Sequence, residues 1–292
     1  MNKKIIGHRK NIELLQKTLR NGSLHHSFLF VGPENVGKQV VARSLANNIV
    51  NNNLDKPLKI CEHIDSDVNI IRPQVIEKKK KNIIKNISAE IIIEAMHSMM
   101  LAPDKKAKVL IIDDAHRMTF SAQNALLKTL EEPLENRYII LVTHNTSRLL
   151  RTIQSRCFVM QFNVVDIEEL RVEYKDSEYL NDMDGRPGFL YNIYNDDYFR
   201  SIVESARHKL QILAHKKIYE RLDLALELSK KDDVYLKIFF QVWIYRIRIA
   251  AYKTKKFQLI KVAGRVEDSL NKMNSTNVNK QLMLEDLLIN IV

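Results

Sequence analysis

Ser27-Phe-Leu-Phe-Val-Gly32-Pro33-Glu34-Asn35-Val36-Gly37-Lys38-Gln39 is the stretch that decides the fold. Its first five residues are bulky and mostly apolar, as in a strand covered on both faces. Gly32 to Lys38 then fits Gly-x-x-x-x-Gly-Lys. Glycines there let backbone N–H groups turn toward phosphate oxygens. Beyond the loop, Val41, Leu45 and Ile49 fall on one helical face. The N-terminus of that helix presents about half a positive charge to an anion. Strand, glycine loop and helix together predict a P-loop formed by Gly32, Pro33, Val36, Gly37, Lys38 and Gln39, with Lys38 reaching the outer phosphates. The plain alternative is an ordinary glycine turn. The residue after the lysine should carry a hydroxyl to ligate Mg²⁺, and here it is Gln39. Weak or absent magnesium positioning is therefore expected.

Working outward, further strands are expected at Val109–Ile112, Tyr138–Thr143, Cys157–Phe162 and, more weakly, Val68–Ile71. Helical patterns lie between them. One starts after Ser88 and stops before Pro103. Another, capped by Thr119 or Ser121, carries Ala122, Ala125, Leu126 and Leu130 on one face and ends before Pro133. Alternating strand and helix imply an α/β domain with a parallel sheet flanked by helices. Asp113 and Asp114 follow the second main strand, where a metal-holding carboxylate and a water-orienting carboxylate are expected. Aspartate at 114 is one methylene shorter than the glutamate that suits the second task.

After about Val165 strand signals fade and helical periods dominate. The chain reads as three parts: residues 1–165 a nucleotide-binding domain, 166–200 a small helical lid, and 201–292 an all-α C-terminal domain. Gly185, Pro187 and Gly188 mark the start of a lid helix. From Gln241 to Arg265 there are seven Lys or Arg and no Asp or Glu, interleaved with Trp243, Tyr245, Tyr252 and Phe257. A helix with a buried aromatic face and a solvated basic face is the preferred reading; a nucleic-acid surface is the alternative. Lys78–Lys81 reads as a solvated loop or hairpin.

The 292 residues carry a net charge of +11, which suits an acidic partner but which a Lys- and Asn-rich composition also explains. The two cysteines, Cys61 and Cys157, give no disulfide framework. No run has the length and apolarity of a membrane span or a signal peptide, so a cytoplasmic protein without membrane contact is expected.

Taken together, Asp113-Asp-Ala-His-Arg-Met-Thr119, Asn124-Ala-Leu-Leu-Lys-Thr-Leu-Glu-Glu-Pro133 and Thr152-Ile-Gln-Ser-Arg-Cys157 resemble the clamp-loader family of AAA+ proteins, in its delta-prime branch from bacterial DNA polymerase III. The resemblance covers about residues 5–165 strongly and 166–200 weakly. It implies an AAA+ sheet, a lid and a helical collar. It implies partners: the gamma/tau ATPase subunits and the delta subunit, with the sliding clamp and primed DNA met through the complex. It makes Thr143 the first sensor and Arg156 an arginine finger acting in trans on a neighbour's nucleotide. It also implies a subunit that binds ATP or ADP weakly and hydrolyses little or none. Many relatives carry a four-cysteine zinc module; only Cys61 and His63 stand in that region, so no zinc or other metal site is expected. Gly188 takes the place of the second-sensor arginine; Arg186, two residues earlier, is a candidate substitute for it but is expected to face solvent or a partner. Two other functions fit less well. One is a hydrolysing AAA+ motor of a loader or DNA helicase, which Gly32, Gly37, Lys38 and Asp113 permit. The other is a nucleotide-independent DNA-binding scaffold.

Overall fold

The computed structural model describes residues 4–61, 63–78, 81–174, 177–213, 216–275 and 279–290. The chain divides into two compact units: residues 1–74 with 85–170, and residues 75–84 with 171–292.

The first unit is built on helix α1 (Arg9–Arg20), strand β1 (Ser27–Val31), helix α2 (Lys38–Val50) and strand β2 (Val68–Ile71). The hairpin of β3 (Val75–Lys78) and β4 (Lys81–Ile84) interrupts it and belongs to the second unit. Helix α3 (Ala89–Met100), strand β5 (Lys108–Ile112), helix α4 (Phe120–Glu131), strand β6 (Arg137–Thr143), helix α5 (Arg151–Gln154) and strand β7 (Phe158–Gln161) complete the first unit. Five strands form one sheet in the order β2-β5-β6-β1-β7, every pair parallel. All five had a strand reading in the sequence. The apolar runs of β1, β5 and β6 are continuous because both faces are covered, while Phe158 and Val159 of the edge strand β7 are exposed. Phe28, Phe30, Val109, Ile111, Ile140 and Val142 face a core shared with Leu15, Val41, Leu45 and Ile49 of α1 and α2. The alternate residues Leu29, Leu110, Ile112, Ile139 and Leu141 face Ile92, Met96, Ala122 and Leu126 of α3 and α4. The strand period of two thus splits one apolar run between two cores. Thr119 caps α4, its hydroxyl accepting from Ala122 N–H at 3.2 Å.

The second unit is helical apart from its hairpin. Helix α6 (Ile167–Glu173) spans the division, and α7 (Pro187–Asn195), α8 (Asp197–Leu213), α9 (Ile218–Ser229), α10 (Asp233–Thr254), α11 (Gln258–Ser275) and α12 (Lys280–Asn290) follow. Helix α8 runs through position 200, where the sequence reading separates lid from collar. The hairpin pairs Val75 with Ile84 and packs against α10. The hairpin alternative for Lys78–Lys81 holds, although the flanking strands had no strand reading, and positions 79 and 80 of the lysine run lie outside the described residues. Tyr235, Phe239, Phe240, Trp243 and Tyr245 of α10 are buried, while Tyr252 and Phe257 are exposed. Arg246 and Arg248 pair with Asp182 at 3.4 Å and Glu267 at 2.9 Å. The reading of a buried aromatic face holds for Trp243 and Tyr245 but not for Tyr252 and Phe257, and Arg246 and Arg248 are ion-paired.

Arg186 departs from expectation. Its side chain is buried, not turned to solvent: the guanidinium lies 4.2 Å from the centre of the Tyr245 ring and donates to the Asp184 carboxylate at 2.6 Å. Local carboxylate pairing and a ring face stabilise the burial of this charge.

Gly32 is where the fold leaves least room. A β-carbon there would lie 1.9 Å from the Phe162 carbonyl oxygen, which is backbone that cannot swing aside. Gly32→Ala is expected to lower stability by more than about 2 kcal/mol in urea melts; Gly22→Ala, whose added carbon meets nothing within 4 Å, should cost less.

Candidate nucleotide site and its arginine

The P-loop leaves the C-terminal end of β1, an inner strand between β6 and β7. Its first N–H, from Gly32, donates to Thr143 O at 3.2 Å, so the loop starts beside the end of β6. Asn35 and Gly37 have φ of 62° and 103°, the left-handed backbone a phosphate-cradling turn needs. Val36 is fully buried and anchors the loop; its carbonyl lies 2.7 Å from His8 Nε2. His8 in turn meets the Phe162 ring edge-on, at 4.9 Å between centroids. Burial lowers the His8 pKa below the usual imidazole value. Nothing in the sequence singled out His8, because its partner lies 28 residues away and is a backbone carbonyl.

Lys38 opens α2 and is buried. Its ammonium donates to Gly32 O at 2.7 Å and Pro33 O at 2.6 Å. Those two carbonyls hold the ammonium within its own loop. Gln39 follows on the first turn of α2.

Asp113 leaves β5, its N–H bonded to Ile71 O at 2.8 Å. Its carboxyl pKa is pushed up to about 6, chiefly by burial and then by the charge of Asp114. The Asp114 N–H, which donates to the Asp113 carboxylate at 3.1 Å, and then the charges of Lys38 and Arg72 oppose that rise. Lys38 follows β1 and Asp113 follows β5, so the lysine and aspartate of the P-loop reading lie at the same end of the sheet. Asp114 sits in the left-handed region at φ 49°, and its carboxylate lies 3.9 Å from His144 Nδ1. Thr143 is buried at the end of β6. Its hydroxyl oxygen lies 3.3 Å from His116 Nδ1 and accepts from Asn145 N–H at 3.0 Å. His144 Nδ1 bonds the Glu34 carboxylate of the P-loop at 3.0 Å. Glu34, His116 and His144 went unnoticed as site residues, although His116 stands in the motif Asp113–Thr119.

Arg156 lies elsewhere. It stands between α5 and β7, where its carbonyl accepts from Ser27 Oγ at 2.7 Å, at the N-terminal end of β1. The five residues of β1 span about 16 Å at ~3.3 Å each, so Arg156 and the P-loop occupy opposite edges of the sheet. The guanidinium is about one-third exposed. It donates to Thr152 O at 2.9 Å and pairs with Glu131, at the end of α4, at 2.6 Å.

The parallel sheet with a P-loop after the inner strand β1 and Asp113 just beyond the next-but-one strand β5 defines an AAA+ fold. A family model described as DNA polymerase III, delta subunit, matches residues 7–166, more than half of the chain. The chain belongs to that family of DNA polymerase III clamp-loader proteins. It is 30% identical to DNA polymerase III subunit tau of Escherichia coli K12 over 170 residues, 57% of this chain and 26% of that one. It is 28% identical to subunit gamma of Buchnera aphidicola subsp. Schizaphis graminum over 174 residues, 58% of this chain and 46% of that one. With subunit delta' of Bacillus subtilis 168 it shares 29% over 180 residues, 58% and 52% of the two chains. The chain thus spans about half or less of the length of these curated relatives. Among solved structures, a DNA polymerase III gamma subunit-related protein of Thermotoga maritima superposes with a TM-score of 0.54 at 21% identity, covering 96% of this chain and 98% of that one. This is a likeness of fold. Among the described residues no helix is long and apolar enough to cross a membrane.

The raised Asp113 pKa has a signed consequence. Its neutral form is favoured in the folded state, so the contribution to stability is fully present below the ordinary pKa of 3.8 and is lost as pH rises through about 6. Asp113→Asn should remove that pH dependence and stabilise the protein at pH 8 by up to about 3 kcal/mol, measured by urea melts from pH 4 to 8 in a chelating buffer.

Proposed function

We propose that this chain is a delta-prime-like clamp-loader subunit that helps place the sliding clamp on primed DNA during replication. In this reading it sits beside gamma/tau-type ATPase subunits and a delta-type subunit, and it contributes Arg156 to a neighbour's ATP site. One observation carries the reading: Arg156 lies at the sheet edge opposite its own P-loop, too far for its side chain to serve that loop. An arginine held there is useful to phosphate only in trans. Its planar guanidinium matches the charge that develops on a transferring phosphoryl group.

The chain's own nucleotide site supports a non-hydrolysing role. Gln39 replaces the magnesium hydroxyl, Lys38 is engaged with its own loop, and Asp114 lies near His144. ATP or ADP is then held weakly, and Mg²⁺ adds little. A hydrolysing motor is the second reading, favoured by Lys38 and Asp113 standing at the same end of the sheet. Turnover by the isolated chain that disappears in Lys38→Ala would establish that motor instead.

Arg156→Ala separates the alternatives. The Glu131–Arg156 pair is a half-exposed ion pair, so its loss should change stability by no more than about 1 kcal/mol. In an assembly reconstituted with ATPase subunits, turnover at the neighbouring site should fall on the order of 10³-fold, the scale set by arginine fingers. Unchanged ATPase and clamp loading would refute the trans role. Labelled ATP should bind the isolated chain weakly and equally with or without Mg²⁺, as equilibrium dialysis would show.

A further inference from the structure

Asp114, His116 and His144 converge from two places in the chain. Asp114 follows β5, His116 lies on the short turn Ala115–Arg117, and His144 follows β6. One ligand-capable atom of each lies within 4.8 Å of the others. The two imidazoles meet at 4.1 Å between ring centroids. A second carboxylate lies beside the group, in contact with one member of it: Glu34 Oε1 is 3.0 Å from His144 Nδ1, and Asp114 Oδ1 is 3.9 Å from the same nitrogen.

We propose that Asp114, His116 and His144, with Glu34 as fourth donor, form a site for a divalent transition cation of the Zn²⁺ class. Two imidazoles and two carboxylates are a common zinc donor set, and the two carboxylates balance the charge of the ion. The imidazoles argue against Mg²⁺ and Ca²⁺, which take oxygen ligands. Tetrahedral bonds of about 2.0–2.1 Å put ligand atoms roughly 3.3 Å apart. The Glu34–His144 separation is already near that, and side-chain torsions can close the rest. The Thr143 hydroxyl on His116 Nδ1 supplies the outer contact that orients a ligating imidazole.

An ion there ties the P-loop, the exit of β5 and the exit of β6 to one point. It also occupies the Asp114 carboxylate, removing it from any part in orienting water. This departs from the sequence expectation of no zinc, which rested on the region of Cys61 and His63. It does not depend on the loader assignment.

The test uses the full chain, stripped with a chelator and titrated with Zn²⁺ in competition with a chromogenic chelator. One ion per chain is expected, with a rise in melting temperature. His144→Ala and Asp114→Asn, each verified as folded by circular dichroism, should each weaken binding about 100-fold or more and abolish the thermal shift. Cys61→Ser should leave binding unchanged. Co²⁺ in place of Zn²⁺ should give the visible absorption of a tetrahedral site in the wild type and lose it in His144→Ala. The proposal is overturned if the wild type shows no saturable binding, if both ligand variants bind as tightly as the wild type, or if binding is lost in Cys61→Ser.

Discussion

Strand β1 is bonded in parallel to β6 on one side and to β7 on the other. Parallel strands have a shared direction, so everything that follows them is at one edge and everything that precedes them is at the other. The P-loop follows β1, Asp113 follows β5 and Thr143 ends β6, so all three gather at the C-terminal edge. Arg156 precedes β7 and is bonded to Ser27, the first residue of β1, so it stands at the opposite edge. No loop rearrangement brings it to the P-loop while the strands keep their register. The packing makes that register costly to change: Phe28 and Phe30 fill one core and Leu29 the other, and a one-residue slip would exchange the faces of all three.

The same polarity gives the two edges different chemistry. At the C-terminal edge, charges are crowded and partly buried. Burial pushes Asp113 toward its neutral form, Lys38 is held by loop carbonyls, and Glu34 with His144 bridges the P-loop to the end of β6. This edge has the parts of a nucleotide cradle, arranged so that they engage one another. The N-terminal edge carries a cation in partial contact with solvent, held by Glu131. Such a pair is weak enough to exchange for a stronger anion, and a polyphosphate is one.

The sheet was legible because each strand is a short apolar run bounded by turn or helix signals, and the P-loop because glycine spacing reports backbone conformation directly. The faces of α2 and α4 followed from helical periodicity. What escaped detection depends on pairs remote in sequence. His144 and Glu34 are 110 residues apart, and neither carries a local pattern that announces the other. Arg186 read as exposed because a lone arginine near a glycine cluster usually is; the ring of Tyr245 that shelters it lies on another helix. The strands of the hairpin were hidden because Val75–Ile84 is interrupted by lysines, which obscure alternation. The family motif was visible around His116, yet a motif does not reveal which atoms in it meet.

The most direct measurement of the trans arrangement is site-specific photo-crosslinking from position 156 in a reconstituted assembly with ATPase subunits. Crosslinks to the P-loop segment of the adjoining subunit, increased by ATP, are the predicted result. Crosslinks confined to this chain, around Glu131 and Thr152, with and without ATP, would contradict it.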